Sequence, residues 1–418
     1  MQIVYAKQPF PESWTSAIFL AGPTPRDAMT LSWRPEALRL LEASGYDGVV
    51  MVPEVEDGEW KAGADAYTDQ VEWERAGLDM CDVILFWIPR EMETMPGLTT
   101  NVEFGLYVSS SKIVLGAPER AKSIRYLESA LFTATGEPDA RRVTLETTVQ
   151  ACFTKLNKLL PGVFNDTVDA GKQLLSVRHG GERCVPLHIW KLDSFQSWYR
   201  SQVAAGNRLD GAQLLWNFTL PKIGLVLSWV LKVNVWVASE KRNKSNEYIF
   251  SRTDISTVCL WHRPYQGGQA PEVSEVMDTE IVLIREFRSP ARTQDGMVHE
   301  LPGGSSVKPG KDPLQVASEE VHEETGLIIP STRFRALGSR QVAATVSTHH
   351  AHLFAAEVSA AEMSQAKTLA ANQTVNGVEE DSERTFVEVT TFGELLAGKL
   401  VDWSTLGMIT QAILGGYP

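Results

Sequence analysis

With 418 residues, 43% hydrophobic and 22% charged, the chain has ordinary globular composition but is too long for one typical core, which predicts two or three domains. Its formal net charge of −13 argues against a nucleic-acid polymer or an anionic membrane as the main partner. A small anionic substrate fits only where local cations or a metal offset the field. Cys81, Cys152, Cys184 and Cys259 lack metal-ligand spacing and read as free thiols. No signal peptide opens the chain, and the longest apolar run, Ile223–Val237, is short and interrupted by Lys232. A cytoplasmic location without membrane association is therefore expected.

Ala17–Ala21 (AIFLA) predicts a buried strand ending in a Gly22–Pro23 loop. A helix over 32–44 follows, with Trp33, Ala37, Leu38 and Leu41 at helical spacing, and then a second strand, Gly48–Pro53. Residues 67–80 read as a helix, Asp82–Ile88 as a strand, 101–109 as a helix and Lys112–Gly116 as a fourth strand. Strands and helices alternating in apolar runs predict an α/β domain with a Rossmann-like parallel sheet flanked by helices. Ligands of such sheets collect at the carboxyl ends of the strands.

Over residues 15–130, FLAGPTPR, VEWERAGLDMCDVILFWIP and GLTTNVEFGLY resemble the nucleoside 2-deoxyribosyltransferases and their nucleotide N-hydrolase relatives. The resemblance implies that Glu103 attacks the anomeric carbon and forms a glycosyl-enzyme ester while the base departs. It puts Glu74 where the family has an aspartate handling the base or its proton. Asp82 joins this catalytic set, although a residue opening a strand after a helix is equally a simple turn residue. Gly22, Pro23 and Arg26 fall in a sugar- or phosphate-facing loop, and Thr99, Thr100 and Asn101 in the loop before the nucleophile. The transferases carry an acidic residue shortly before the nucleophile, where this chain has Pro96–Gly97, so hydrolysis or a drifted substrate is favoured over base transfer. Borrowed active-site residues in that family imply a homo-oligomer. The chemistry is coherent in itself: a carboxylate near a helix N-terminus stays ionised as nucleophile and a second carboxyl relays a proton, as in retaining glycosidases.

Residues 119–160 read as helical, closing a first domain over 1–165, with 166–186 as linker and 187–418 as the second domain. Trp190, Trp198, Tyr199 and Trp216 are placed on one or two helices and read as core or interface rather than a base-stacking platform. Strands are predicted over 232–238, 246–261, 280–287, 334–342 and 352–358. The cluster His349, His350, His352 lacks regular ligand spacing and reads as part of a substrate loop. Glu379, Glu380, Asp381 and Glu383 form a late acidic loop that offers a catalytic base.

Between these strands lies ELPGGSSVKPGKDPLQVASEEVHEETGL, from Glu300 to Leu327. Asp312 is a helix N-cap, Pro313 suits the first helical position, Gln315 has capping-box spacing, and Gly326 supplies the left-handed closing residue. Leu314, Ala317 and Val321 give the helix one apolar face. Glu320, Glu323 and Glu324 share another side, where each pair repels by ~1 kcal/mol even when well screened. A hard divalent cation justifies that cost, against the plainer reading of a solvated acidic face.

This stretch resembles the Nudix box, G-x5-E-x7-R-E-U-x-E-E-x-G-U, matching at Glu320, Val321, Glu323, Glu324, Gly326 and Leu327. IREFRSP and ELPGG resemble the branch acting on ADP-ribose and related nucleoside diphosphates. The resemblance implies a C-terminal α/β/α sandwich with a mixed sheet, and Mg²⁺ (or Mn²⁺) held by Glu320, Glu323 and Glu324 as the catalytic glutamates. It further implies a metal-binding loop with Glu300, Gly303 and Gly304, and Arg285 and Arg288 meeting the diphosphate or terminal ribose. Two charges of the motif are reversed, at Lys311 and Glu319, which reads either as a swapped ion pair between them or as decay of the motif. Together the two resemblances imply a bifunctional nucleotide-processing enzyme. The alternative is that the second domain is a non-catalytic nucleotide sensor regulating the first; a DNA-binding regulator is disfavoured by the acidic charge.

Overall fold

The computed structural model describes the chain apart from residues 28, 57–63, 160–176, 221–223, 265–272, 294, 307–309, 378–382, 399 and 415–418, and apart from the side chains of 64–67. Backbone contacts divide the chain into two compact units, Met1–Ser251 and Arg252–Pro418. Among the described residues no helix is long and apolar enough to cross a membrane.

The first unit opens with β1 (Gln2–Tyr5), β2 (Ser13–Trp14) and β3 (Ala17–Ala21), then α1 (Arg34–Ala43), β4 (Val49–Val52) and α2 (Ala64–Met80). It continues through β5 (Val83–Trp87), α3 (Leu98–Tyr107), β6 (Ile113–Gly116), α4 (Arg125–Thr135) and α5 (Leu145–Leu159). Five strands form one parallel sheet of order β1-β4-β3-β5-β6. Strand parity sorts its apolar residues onto two faces. Ala17, Phe19, Met51, Ile84 and Phe86 pack with Trp73 of α2, Phe104 of α3 and Leu127 of α4. Ile18, Leu20, Val50, Val83 and Leu85 pack with Ala37 and Leu41 of α1 and Cys152 of α5. This is the flanked parallel sheet predicted from the sequence. The single helix read over 119–160 is instead two, because Gly136 closes α4 in the left-handed region, at φ 68°.

Of the stretch read as a linker, residues 166–176 lie outside the described residues, while 177–186 are held to the sheet. β7 (Arg178–His179) pairs with β2, and Arg178 is fully buried against Asp82. The helices α6 (Leu187–Trp190) and α7 (Asp193–Ala204) follow, then β8 (Arg208–Leu220), β9 (Leu225–Val237) and β10 (Arg242–Arg252) in a second sheet of order β10-β9-β8. Trp190, Phe195 and Trp229 are buried together, with Trp198 and Tyr199 against them, so these aromatics are core. Trp216 departs from the expected helix. Gly206, at φ 76°, turns the chain after α7, and Trp216 lies on strand β8, half exposed.

The second unit contains β11 (Ile255–His262), α8 (Val273–Met277), β12 (Glu280–Phe287), β13 (Met297–Glu300), β14 (Gly303–Gly304) and α9 (Pro313–Thr325). Then come β15 (Arg335–Gln341), β16 (His350–Glu357), α10 (Ala360–Ala371), β17 (Val375–Asn376), β18 (Thr385–Thr391), α11 (Phe392–Gly398) and α12 (Trp403–Leu414). The sheet is mixed, because β11 and β16 run parallel while β12 pairs antiparallel with β11, β13 and β18. Val258, Leu260 and Val282 pack against α9 and α10, and Cys259, Ile281 and Leu283 against α11 and α12. Helix α9 starts and stops where its sequence dictates. Asp312 accepts the Leu314 backbone N–H, Pro313 is the first helical residue, and Gly326 closes the helix at φ 68°.

Candidate functional site

In the first unit the chain leaves β3 for β4 on one side and returns to β5 on the other, so the sheet's switch point lies between β3 and β5. A cavity of about 180 Å³ opens at the carboxyl ends of the strands there. Gly22, Pro23 and Arg26 line it from the loop after β3, Thr99, Thr100 and Glu103 from α3, and Glu74 from α2. The loop is drawn tight onto the sheet. Gly22 sits at φ 151°, and a Cβ added there would lie 2.2 Å from the Trp87 carbonyl oxygen. Trp33 Nε1 donates to the Pro23 carbonyl at 3.1 Å. Gly22→Ala should therefore shift this loop off β5 and cost the unit ~1–3 kcal/mol, read by denaturant unfolding.

Arg34, which sequence reading missed, lies 1% exposed on the cavity wall. Nε donates to the Leu20 carbonyl (3.1 Å), Nη2 to the Gly22 carbonyl (2.8 Å), and Nη1 to Thr24 Oγ1 (3.1 Å) and Glu54 Oε1 (2.6 Å). Arg34 occupies the same helical stripe as Ala37 and Leu41. A charge on a buried stripe was the available signal.

Burial pushes the Glu103 carboxyl up to about 7, with Glu74 adding to the rise and Arg34 opposing it. Glu74 is also raised, by burial, against a 2.6 Å hydrogen bond from Gln70 Nε2 and the attraction of Arg34. The expectation that a helix N-terminus keeps Glu103 ionised is corrected. Glu103 is the sixth residue of α3, beyond the first turn where the dipole acts, and desolvation dominates. The charge of Glu74 thus opposes the ionisation of Glu103 across the cavity.

Two residues of the expected set are elsewhere. Asp82 sits at the opposite end of β5, outside the cavity. Its carboxylate accepts from Arg178 Nη1 (2.8 Å) and Nη2 (2.6 Å), Ala17 N (2.8 Å) and Leu187 N (2.8 Å). It is a buried structural junction, because it precedes the strand that a site residue would follow. Asn101 is exposed and does not line the cavity; its Oδ1 accepts from Arg90 Nη2, which also reaches the Gly97 carbonyl at 3.4 Å. That bond fixes the turn presenting Thr99 and Thr100.

In the second unit, carboxylates gather where β12, β14 and α9 meet. One oxygen from each of Glu286, Glu324 and Glu383 lies within 4.8 Å of the others. Of the three helix glutamates read as ligands, this group contains Glu324 alone. Glu324 is buried and accepts the Gly303 N–H at 2.7 Å, while burial and the neighbours Glu320, Glu383 and Glu300 hold its carboxyl well above the usual range. Glu320 packs on Gly304, where an added Cβ would lie 2.4 Å from its Oε1, and burial with Glu323 and Glu383 pushes it up to about 7. Glu323 is exposed. Of the late acidic loop, Glu379, Glu380 and Asp381 lie outside the described residues, and Glu383 joins the cluster.

Arg288 Nη2 lies 2.7 Å from Glu286, 3.7 Å from Glu300 and 3.9 Å from Glu383. Arg285 does not accompany it. One residue before Glu286 on β12, it points to the other face, where its Nη2 donates to Gln373 and its Nε lies 3.7 Å from Glu388. The same parity would have paired Glu286 with Arg288 from sequence. His349 is held by Ser347 Oγ, and His352 Nε2 lies 3.7 Å from Asp254; no grouping of the three histidines forms a metal site among the described residues. Lys311 and Glu319 form the expected ion pair. Glu319 is 54% exposed, so reversing both charges together should change stability by under ~1 kcal/mol, while reversing one should be measurably worse by thermal unfolding.

No match is found among curated proteins. Residues 15–121, which carry β3 to β6 and every residue lining the first-unit cavity, match the family model described as nucleoside 2-deoxyribosyltransferase like, so this segment of the chain is a domain of that kind.

Proposed function

We propose that the first unit breaks the N-glycosidic bond of a nucleoside or nucleotide. The observation that carries this is the convergence of Glu103 and Glu74 in one cavity with the Gly22–Pro23 and Thr99–Thr100 loops, inside the matched segment. Glu103, ionised, attacks the anomeric carbon, and the electron pair of the C–N bond leaves with the base. Glu74, in the same cavity, gives the departing base a proton. Water then attacks the ester, gives its proton to Glu74 and frees the Glu103 carboxylate, as in retaining glycosidases. Pro96–Gly97 before the helix favours hydrolysis over transfer to a second base. Offering isotope-labelled free base with unlabelled substrate separates the two, since only transfer returns label to the nucleoside pool.

For the second unit we infer Mg²⁺- or Mn²⁺-dependent hydrolysis of a nucleoside diphosphate linked to another group, ADP-ribose-like, on the strength of the Nudix-like sequence around Glu320–Gly326. The donor set suits a hard divalent cation: Glu286, Glu324 and Glu383 would hold it, since all three are oxygen ligands in reach of one point. Such an ion, when bound, offsets the charge developing on the diphosphate oxygens. Arg288 would orient the same group. Metal-dependent release of a nucleoside monophosphate, lost in Glu324→Gln, is the expected outcome. Nucleotide binding without turnover in metal would instead establish the sensor reading. The two units could act in series in the cytoplasm, monophosphate formation preceding base release, in a homo-oligomer.

A further inference from the structure

The two carboxyls of the first-unit cavity are faced by a fixed cation that is not itself free to react. Arg34 spends Nε and Nη2 on the carbonyls of Leu20 and Gly22, and Nη1 on Thr24 and Glu54. Glu54 is in turn held by Ser32 Oγ at 3.0 and 2.9 Å from its two oxygens. Trp33 lies 4.8 Å from the guanidinium carbon and shields one face. The guanidinium is thus buried, immobile and always charged, and it belongs to the same wall as Glu74 and Glu103. A charge clamped in this way acts on neighbouring carboxyls through a low dielectric without reorganising.

We propose that Arg34 is a positioning residue that favours the ionised, nucleophilic form of Glu103 against its burial, with Glu54 setting how much of the Arg34 charge reaches the cavity. This rests on the glycosidic-cleavage reading for its catalytic consequence, but the ionisation itself is independent of that reading. The charged groups lining the cavity are Arg34 from α1, Arg26 after β3, Glu74 and Glu103, while Glu54 after β4 is outside the lining and pairs with Arg34 at 2.6 Å. Arg34 favours the ionised form of both carboxyls, and Glu74 opposes the ionisation of Glu103. Arg34 also ties the loop after β3 to the sheet, so it orients Gly22 and Pro23 while it sets the charge.

The arrangement predicts opposite effects from its two halves. Arg34→Met removes the cation, and the Glu103 midpoint should rise by about one pH unit or more. Glu54→Gln leaves Arg34 less compensated, and the midpoint should fall. Arg34→Lys keeps the charge and should restore most of the midpoint while recovering the loop contacts only in part. The midpoint can be read without turnover, from the pH dependence of the stability difference between each variant and the same variant carrying Glu103→Gln. It can be read again from the pH–rate profile of base release in the full chain. Shifts of opposite sign, with Lys close to wild type, support the proposal. Equal midpoints in all three variants, or shifts of one sign that track stability loss, would overturn it and reduce Arg34 to a loop anchor. Shifts seen in the stability profile with no base release from wild type would leave the proposal standing and sink the glycosidic reading instead.

Discussion

Glu103→Gln should lower base release by ~10³-fold or more while leaving the fold intact, because the variant keeps shape and burial but removes the nucleophile. The same substitution should stabilise the unit at alkaline pH. Burial raises the folded-state carboxyl from 4.5 to about 7, so the folded protein binds more protons than the unfolded chain across that window. Ionising Glu103 therefore costs stability as pH rises from 4.5 to about 7, and the cost is complete above 7. Glutamine escapes it, gaining ~1–3 kcal/mol at pH 8 and nothing at pH 4. Urea unfolding at the two pH values, beside chromatographic assay of free base, checks both halves. A residue retained for structure behaves in the opposite way, losing stability when replaced.

Asp82→Ala provides that opposite case. Removing this carboxylate leaves the fully buried Arg178 guanidinium uncompensated and strips the Ala17 and Leu187 N–H groups of their acceptor. Breaking one side of such a buried pair costs ~3–5 kcal/mol, so the melting temperature of the first unit should fall by ~10 °C or more. Asp82→Ala combined with Arg178→Met should recover part of the loss, because the stranded charge goes with its partner. In protein still folded at low temperature, base release per folded molecule should be close to wild type. A large catalytic defect with unchanged unfolding would return Asp82 to the active site.

The contrast between Glu103 and Asp82 shows what the sequence could and could not carry. Buried strands and amphipathic helices were legible because a parallel sheet writes its burial into uninterrupted apolar runs such as AIFLA and VILFW. The caps of α9 were legible because Asp312, Pro313 and Gly326 act locally. The Lys311–Glu319 pair was legible because two reversed charges sit eight positions apart. Long-range partners were not. Nothing near Asp82 in sequence points to Arg178, 96 residues away, so a structural junction read as a catalytic acid. Glu286 and Glu383 meet Glu324 only through the pairing of β12 with β18 and their packing on α9. Arg34 was hidden differently, by standing among helix residues whose apolar neighbours drew the reading toward packing.

The most direct test of the account offers the full chain a panel of nucleosides and nucleoside monophosphates in chelator, which keeps the second unit's metal chemistry silent, and follows free base by chromatography. Wild type should release base, half-maximal near pH 7, and Glu103→Gln should not. Base released equally well by Glu103→Gln, or no base from any compound that binds the first-unit cavity, would contradict it.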